Sequence, residues 1–306
     1  MNHHISLIGA PSDIGASELG ACLGPDALRI AGLIPALEQR GYTVAHQTNL
    51  VGPSNPNLPN IDGSRHLPEV VEWNRLVHSA VAQALAKNHI PFLMGGDHCL
   101  AIGSISAVLQ HCRARNKKLK VIWFDAHTDA NTPAISPSGN IHGMPVAVLM
   151  GHGHRVLTDL VSCEFLRTDE LAQIGIRSVD EHERNFVHEL NINVFDMRFI
   201  DEHGIRSAMV QALSGCDENT HLHISFDLDS LDPSIAPGVS TAVQGGLNYR
   251  EIQLCMELIA DTGLLASLDL VELNPTRDNA NQTARLAVEL MESLFGKSTL
   301  IRQESQ

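Results

Sequence analysis

Two short segments, Asp125-Ala-His127-Thr-Asp129 and Asp227-Leu-Asp229, place five potential metal ligands at alternate positions. Side chains along extended chain alternate with period two. Asp125, His127 and Asp129 are therefore expected on one face, and Asp227 and Asp229 on one face. Each segment follows an apolar run directly, Val121-Ile-Trp-Phe124 in the first case and 222–226 in the second. Burying such a cluster uncompensated costs on the order of several kcal/mol per ion, and divalent cations supply the compensation. One such aspartate alone reads as a helix N-cap or a surface carboxylate. Five ligands at two strand ends read as a site for two divalent metal ions, and so as a metal-dependent hydrolase.

Two further polar groups follow apolar runs in the same way: Gly95-Gly-Asp-His98 after 90–94, and Glu272 after 265–271. With His98 included, the donor set is rich in oxygen, holds two imidazoles and lacks thiolate. Carboxylates suit magnesium and manganese, while imidazole suits manganese, zinc, iron, cobalt or nickel. Manganese is the best overlap. Cys99, next to His98, is read as structural.

These residues need a frame. Short apolar runs alternate with longer amphipathic stretches along the chain. Strands are expected at 5–9, 90–94, 121–124, 172–176, 193–196, 222–227 and 265–271. Helices are expected at 24–30, where Pro25 stands early in the first turn, and at 68–88, 99–113, 181–190, 203–214, 249–262 and 280–295. The segment 50–63, with its prolines and glycines, reads as a surface loop, and the basic run 113–120 as a solvated turn. Strand–helix alternation argues for a parallel sheet covered on both faces. In such sheets ligands bind at the carboxyl ends of the strands, so four strand ends would supply one site. No repeat or linker divides the chain, and 1–306 is expected to be a single catalytic domain.

Composition excludes several classes. The hydrophobic fraction of 43% supports a sizeable core, and the formal charge of −14 argues against a nucleic-acid surface. Six cysteines, at 22, 99, 112, 163, 216 and 255, are scattered and form no CxxC pair, which fits reduced thiols. No signal pattern opens the chain, and no apolar run approaches the roughly 20 residues that span a bilayer. A cytoplasmic protein without membrane partners is expected.

Gly95-Gly-Asp-His98, Asp125-Ala-His-Thr-Asp129, Ser225-Phe-Asp-Leu-Asp-Ser-Leu-Asp-Pro233 and Leu270-Val-Glu-Leu-Asn-Pro275 resemble the ureohydrolases. Ile8-Gly-Ala-Pro11 and Gly246-Leu-Asn-Tyr-Arg-Glu251 are similar to that family as well. Within it, Asn131-Thr-Pro and Ser136-Pro-Ser-Gly-Asn-Ile-His-Gly-Met-Pro145 resemble the substrate loop of the arginases. The resemblance implies a three-layer α/β/α domain with a mostly parallel eight-stranded sheet. It implies two Mn2+ per subunit, one held by His98, Asp125, Asp129 and Asp227, the other by Asp125, His127, Asp227 and Asp229. It implies cleavage of the guanidinium of L-arginine to L-ornithine and urea through a metal-bridging hydroxide. Asp129 would pass the proton to the leaving amine, Glu272 would pair with the guanidinium, and His142 would relay protons to solvent.

For the amino-acid end of that substrate, Asn131, Ser138 and Asn140 suit the carboxylate, Asp180 and Glu183 suit the ammonium, and Thr241 lines the pocket. Where many arginases carry Arg-Asp-Val-Asp, this chain has Arg177-Ser-Val-Asp180, so one carboxylate near the ammonium end is a hydroxyl. Arg250 and Glu251 resemble a pair that joins subunits in trimeric arginases, which implies a homotrimer or homohexamer. The competing readings are a ureohydrolase acting on agmatine or another guanidino compound, and a non-catalytic arginine- or metal-binding relative. A two-metal phosphatase would need a set of basic residues for phosphate that these motifs lack.

Overall fold

The computed structural model describes residues 3–46, 48–58 and 63–300. Eight strands form one sheet: β1 His4–Ala10, β2 Thr43–His46, β3 Ile90–Gly95, β4 Lys118–Phe124, β5 Leu171–Ile176, β6 Val194–Asp196, β7 Thr220–Asp227 and β8 Leu265–Val271. Their spatial order is β2-β1-β3-β8-β7-β4-β5-β6. Every pairing is parallel, so the sheet is wholly rather than mostly parallel. β2 lies outside the expected strands; at four residues it is too short for a period to register.

Parallel neighbours need long crossovers, and the crossover helices cover both faces. Alternation along each strand sorts the core into two layers. Ile5, Leu7, Phe92, Met94, Ile122 and Phe124 pack with helices Gly24–Ile30, Leu33–Gln39, Tyr249–Thr262 and Gln282–Leu294. Ile8, Leu93, Val121 and Trp123 pack on the other side with helices Leu67–Ala86 and Ala101–Ala114. The result is the three-layer α/β/α arrangement.

β7 is unusual. Leu222, Ile224 and Phe226 join the first layer, while His221, His223 and Ser225 are buried on the opposite face. The ring of His223 lies 2.8 Å from Ser267 Oγ through Nδ1 and 3.3 Å from Asp269 through Nε2. Buried polar groups demand such partners.

Helix Ile205–Ala212 falls within the expected 203–214, and Gly204, whose φ of 80° a helix interior does not accept, separates it from Met197–His203, a helix outside the expected set. The run 113–120 is not a solvated turn throughout. Arg113 closes a helix turn and binds buried Glu170 through both terminal nitrogens at 2.6 and 2.7 Å. Lys118–Lys120 begins β4, and buried Lys120 donates to the Asp169 carbonyl. Among the described residues, 50–58 form a loop without regular structure, whereas 59–62 lie outside them. No described helix is long and apolar enough to cross a membrane.

The strand order decides where chemistry can occur. β3, β8, β7 and β4 are neighbours in the middle of the sheet. All four motif-bearing ends therefore open onto one crevice at the carboxyl edge.

Candidate metal centre and substrate cavity

Three strand ends turn in the same way. Asp97 Oδ1 accepts from the Cys99 amide (2.9 Å), Asp125 Oδ1 from the His127 amide (2.7 Å) and Asp227 Oδ1 from the Asp229 amide (2.7 Å). Each aspartate thus caps a tight turn two residues on, a bond that short carboxylates make readily. The ligands do not alternate along extended strand as their spacing suggests. β4 ends at Phe124 and Asp129 has φ 49°, so the second and third ligands converge through turns, not along extended strand.

The ligand atoms form two overlapping groups: His98, Asp125 and Asp129, and Asp125, His127 and Asp229. His98 Nδ1 lies 3.1 Å from Asp125 Oδ2, 3.2 Å from Asp129 Oδ2 and 3.1 Å from Asp227 Oδ2. His127 Nδ1 lies 3.4 Å from Asp125 Oδ1 and 3.1 Å from Asp229 Oδ2. Ligands at right angles on an ion about 2.0–2.2 Å away stand about 3 Å apart. Asp125 offers one oxygen to each group.

His98 supplies the test of fit. Its Nε2 is 2.8 Å from Ser225 Oγ, while Nδ1 is buried and makes no hydrogen bond. With the proton on Nε2, the Nδ1 lone pair faces three carboxylates, an arrangement that suits a bound cation. Trp123 supports the same ring, stacking on it at 4.1 Å and donating from Nε1 to Asp125 Oδ2 at 2.8 Å. Such outer partners orient ligands and fix the tautomer.

The charges agree. Burial raises the Asp129 carboxyl to about 7, helped by the charge of Asp125. Burial, then Asp229 and Asp125, holds Asp227 well above the carboxylate range. Burial opposes ionisation of Asp125 too, yet hydrogen bonds from His127 and His98 outweigh it and hold Asp125 low. In this cluster Asp129 and Asp227 hold protons that bound cations would replace.

Beside the cluster lies Glu272, 1% exposed. Its Oε1 accepts from the His98 amide (2.9 Å) and stands 3.0 Å from His142 Nδ1, while Oε2 is buried without a partner. Burial lowers the His142 pKa, but the bond to Glu272 outweighs it and raises it to about 9. The backbone amide of His142 donates to Gly15 O (3.1 Å), and the Gly15 amide donates to Asp97 Oδ2 (2.8 Å). Gly96 permits this close packing: a Cβ there would stand 2.1 Å from Ser12 O.

Above the ligands opens a cavity of about 290 Å³. His127, Asp129, Asp227 and Asp229 form its floor, and Asn131, Ser138, Asn140, His142, Asp180, Glu183 and Thr241 line its walls, with Ser178 near the last group. Every residue anticipated for the amino-acid end is thus brought to one cavity. Their bonds differ. Asn131 Nδ2 reaches Asp180 Oδ2 at 3.3 Å, whereas its Oδ1 is buried without a partner. Glu183 is 3% exposed; its two oxygens accept from the Ala130 amide (2.9 Å) and the Asp180 amide (3.3 Å), so it also braces the ligand loop. Thr241 donates to Asp229 Oδ2 at 2.9 Å. Asn140 Oδ1 accepts from Ser17, which in turn accepts from Arg65.

Several supporting residues escaped the sequence reading. Trp123 could have been found, since it precedes Asp125 by only two residues. Ser225, Ser17 and Arg65 could not, because their partners are distant in sequence, and neither could the bond of Asp97 to the Gly15 amide. Cys99 is buried with its thiol pKa pushed well up by burial, in accord with a structural role.

A family model described as the arginase family matches residues 3–296. The arginase of Brevibacillus brevis is 39% identical over 302 residues, which is 98% of this chain and 100% of its own length. That of Bacillus caldovelox is 41% identical over 300 residues, covering 97% and 99%. The native structure of the Bacillus caldovelox arginase at pH 5.6 matches with a TM-score of 0.91 at 39% identity, covering 97% of this chain and 99% of that one.

Proposed function

The chain belongs to the arginase family, and we propose that it cleaves the guanidinium group of L-arginine to L-ornithine and urea. One observation carries this reading. Two ligand groups share Asp125, and their members His127, Asp129 and Asp229 line one cavity with Asn131, Ser138 and Asn140, while Glu272, whose Oε2 is unpartnered, is bonded to the His98 amide and to His142 of that lining. Two Mn2+ would be held there, one by His98, Asp125, Asp129 and Asp227, the other by Asp125, His127, Asp227 and Asp229. The oxygen-rich donor set with two imidazoles suits manganese best.

A guanidinium carbon is a poor electrophile, because resonance spreads its charge over three nitrogens. The ions those residues would hold would supply hydroxide at neutral pH, because a bound metal can lower the pKa of water from 15.7 to about 7. Glu272 orients the guanidinium, because a carboxylate matches its planar fork in geometry and charge. Asp129 accepts the nucleophile's proton and delivers it to the leaving amine, so that ornithine departs neutral at nitrogen and urea remains. His142, bonded to Glu272 and at the cavity wall, exchanges protons with solvent. Asn131, Ser138 and Asn140 present neutral donors to the α-carboxylate, and Asp180 and Glu183 lie on the ammonium side. Ser178 leaves that side with one carboxylate fewer than many arginases have.

Exposed Arg250 and partly exposed Glu251 start the helix Tyr249–Thr262 and would join copies in a homotrimer or homohexamer. Six free cysteines accord with a reducing cytoplasm.

The manganese-loaded protein is expected to release urea from L-arginine far faster than from agmatine. Agmatine lacks the carboxylate that Asn131, Ser138 and Asn140 would recognise. Equal or reversed rates overturn the substrate assignment, and bound metal without urea release from any guanidino compound overturns catalysis.

A further inference from the structure

Arg177 leaves the end of β5 and points its guanidinium into main-chain carbonyls. Nη2 donates to Asp229 O (2.8 Å), Leu231 O (3.2 Å) and Val243 O (2.6 Å). Nη1 donates to Ser230 O and Gly175 O, both at 3.2 Å, and Nε to Val243 O and Gln244 O, both at 3.2 Å. The side chain therefore joins three pieces of backbone: the end of its own strand, the turn 229–231 and the loop 240–246. An arginine fork brings five N–H donors in one fixed plane to three such segments, whereas an ammonium offers three on a flexible stem.

The segments it joins bear most directly on one side of the metal centre, although the Asp229 amide also donates to Asp227 Oδ1 (2.7 Å). The turn carries Asp229, and the loop carries Thr241, whose hydroxyl donates to Asp229 Oδ2 (2.9 Å). The Ala126 amide holds the other oxygen, Oδ1, at 3.0 Å. Asp229 belongs to the ligand group with Asp125 and His127. The other group depends on different supports: His98 on Ser225 and on Trp123, and the 129–131 loop on Glu183.

We propose that Arg177 is a positioning residue that fixes Asp229, and so sets the affinity of the ion in the His127–Asp229 group more than that of its neighbour. The inference rests on the two-ion reading of the cluster. Outer partners of metal ligands typically change affinity 10- to 100-fold. Arg177→Lys keeps the charge but loses the fork, so one Mn2+ is expected to bind about 10- to 100-fold more weakly while the other weakens less.

Titration of the full-length protein with Mn2+, followed by calorimetry and electron paramagnetic resonance, reads this without turnover. Wild type should pass to the spectrum of an exchange-coupled pair. Arg177→Lys should hold one ion with the hyperfine pattern of isolated Mn2+ over a wide range of added metal. Thr241→Val removes the bond to Asp229 from the opposite direction, leaves the fork intact, and should weaken the same ion to a smaller extent. Ser225→Ala should weaken the other. Equal weakening of both ions in Arg177→Lys, or none, overturns the proposal, as does a Thr241→Val protein that loads like wild type. A wild type that takes up a single Mn2+ is a different failure: it removes the two-ion reading, and the inference with it.

Discussion

Glu272→Gln separates substrate recognition from architecture. The side chain is buried, its Oε1 is engaged by the His98 amide and by His142, and its Oε2 is buried with no partner. An unpartnered buried carboxylate oxygen is costly, and a guanidinium is the partner that fits. Glutamine keeps the volume and can still accept at Oε1, but it turns a neutral NH2 toward a cationic substrate. Removing one member of a buried charge pair costs 2–5 kcal/mol in comparable settings. A loss of about 2–4 kcal/mol corresponds to a fall of roughly 30- to 1,000-fold in kcat/KM for urea release from L-arginine. The fold should tolerate the change. The Asp97 carboxyl is raised to about 6 by burial and by the Glu272 charge, so neutralising Glu272 relieves one repulsion while the His142 pair is lost. Thermal melting and Mn2+ uptake should therefore stay near those of wild type. A fall in kcat/KM of less than about tenfold, which is about 1.4 kcal/mol, refutes the guanidinium role. A large fall that comes with lost metal or lost fold refutes the separation.

Asp129→Asn should keep the backbone, since asparagine accepts the left-handed φ of 49° found there, yet lower kcat by about 10²-fold or more through lost proton transfer. Steady-state turnover with circular dichroism as the fold control decides it; near-normal turnover removes Asp129 from the proton path. Apparent Mn2+ affinity should rise with pH through neutrality, because protons held on Asp129, at about 7, and on Asp227 compete with the ions. Titrations in two buffers of different ionisation heat should show proton release, and pH-independent binding contradicts the charge argument. Metal-free protein should lose stability as pH rises above about 6.5, the range in which His221, held neutral by burial, no longer contributes a slope. Asp129, Asp227, His98, His127 and His142 all have folded pKa values above their usual ones. Groups of that kind stabilise the fold below the unfolded pKa and cease to do so as pH passes the folded one. Melting between about pH 7 and pH 9 reads the sign, which Mn2+ should reverse; a rising curve without metal refutes it.

Much of the site was legible because its ligands are close in sequence. Asp125, His127 and Asp129 lie within five residues, and Asp227 and Asp229 within three, so local spacing next to an apolar run already marks a charge cluster that needs cations. The parallel sheet was legible for the same kind of reason, since apolar runs and amphipathic stretches alternate along the chain. Local spacing misled where it was stretched: the ligands converge through Asx turns and the left-handed Asp129, not through strand alternation. What tertiary structure alone decided is the company the motifs keep. The order β3-β8-β7-β4 sets His98 against Ser225, 127 residues away, and Glu272 against the His98 amide, 174 residues away. It also turns Arg177 onto the carbonyls of 229–231 and 243–244. Hydrogen bonds between distant segments leave no period in the sequence, because each partner satisfies only its own local backbone. Their geometry exists once the sheet has brought the strand ends together.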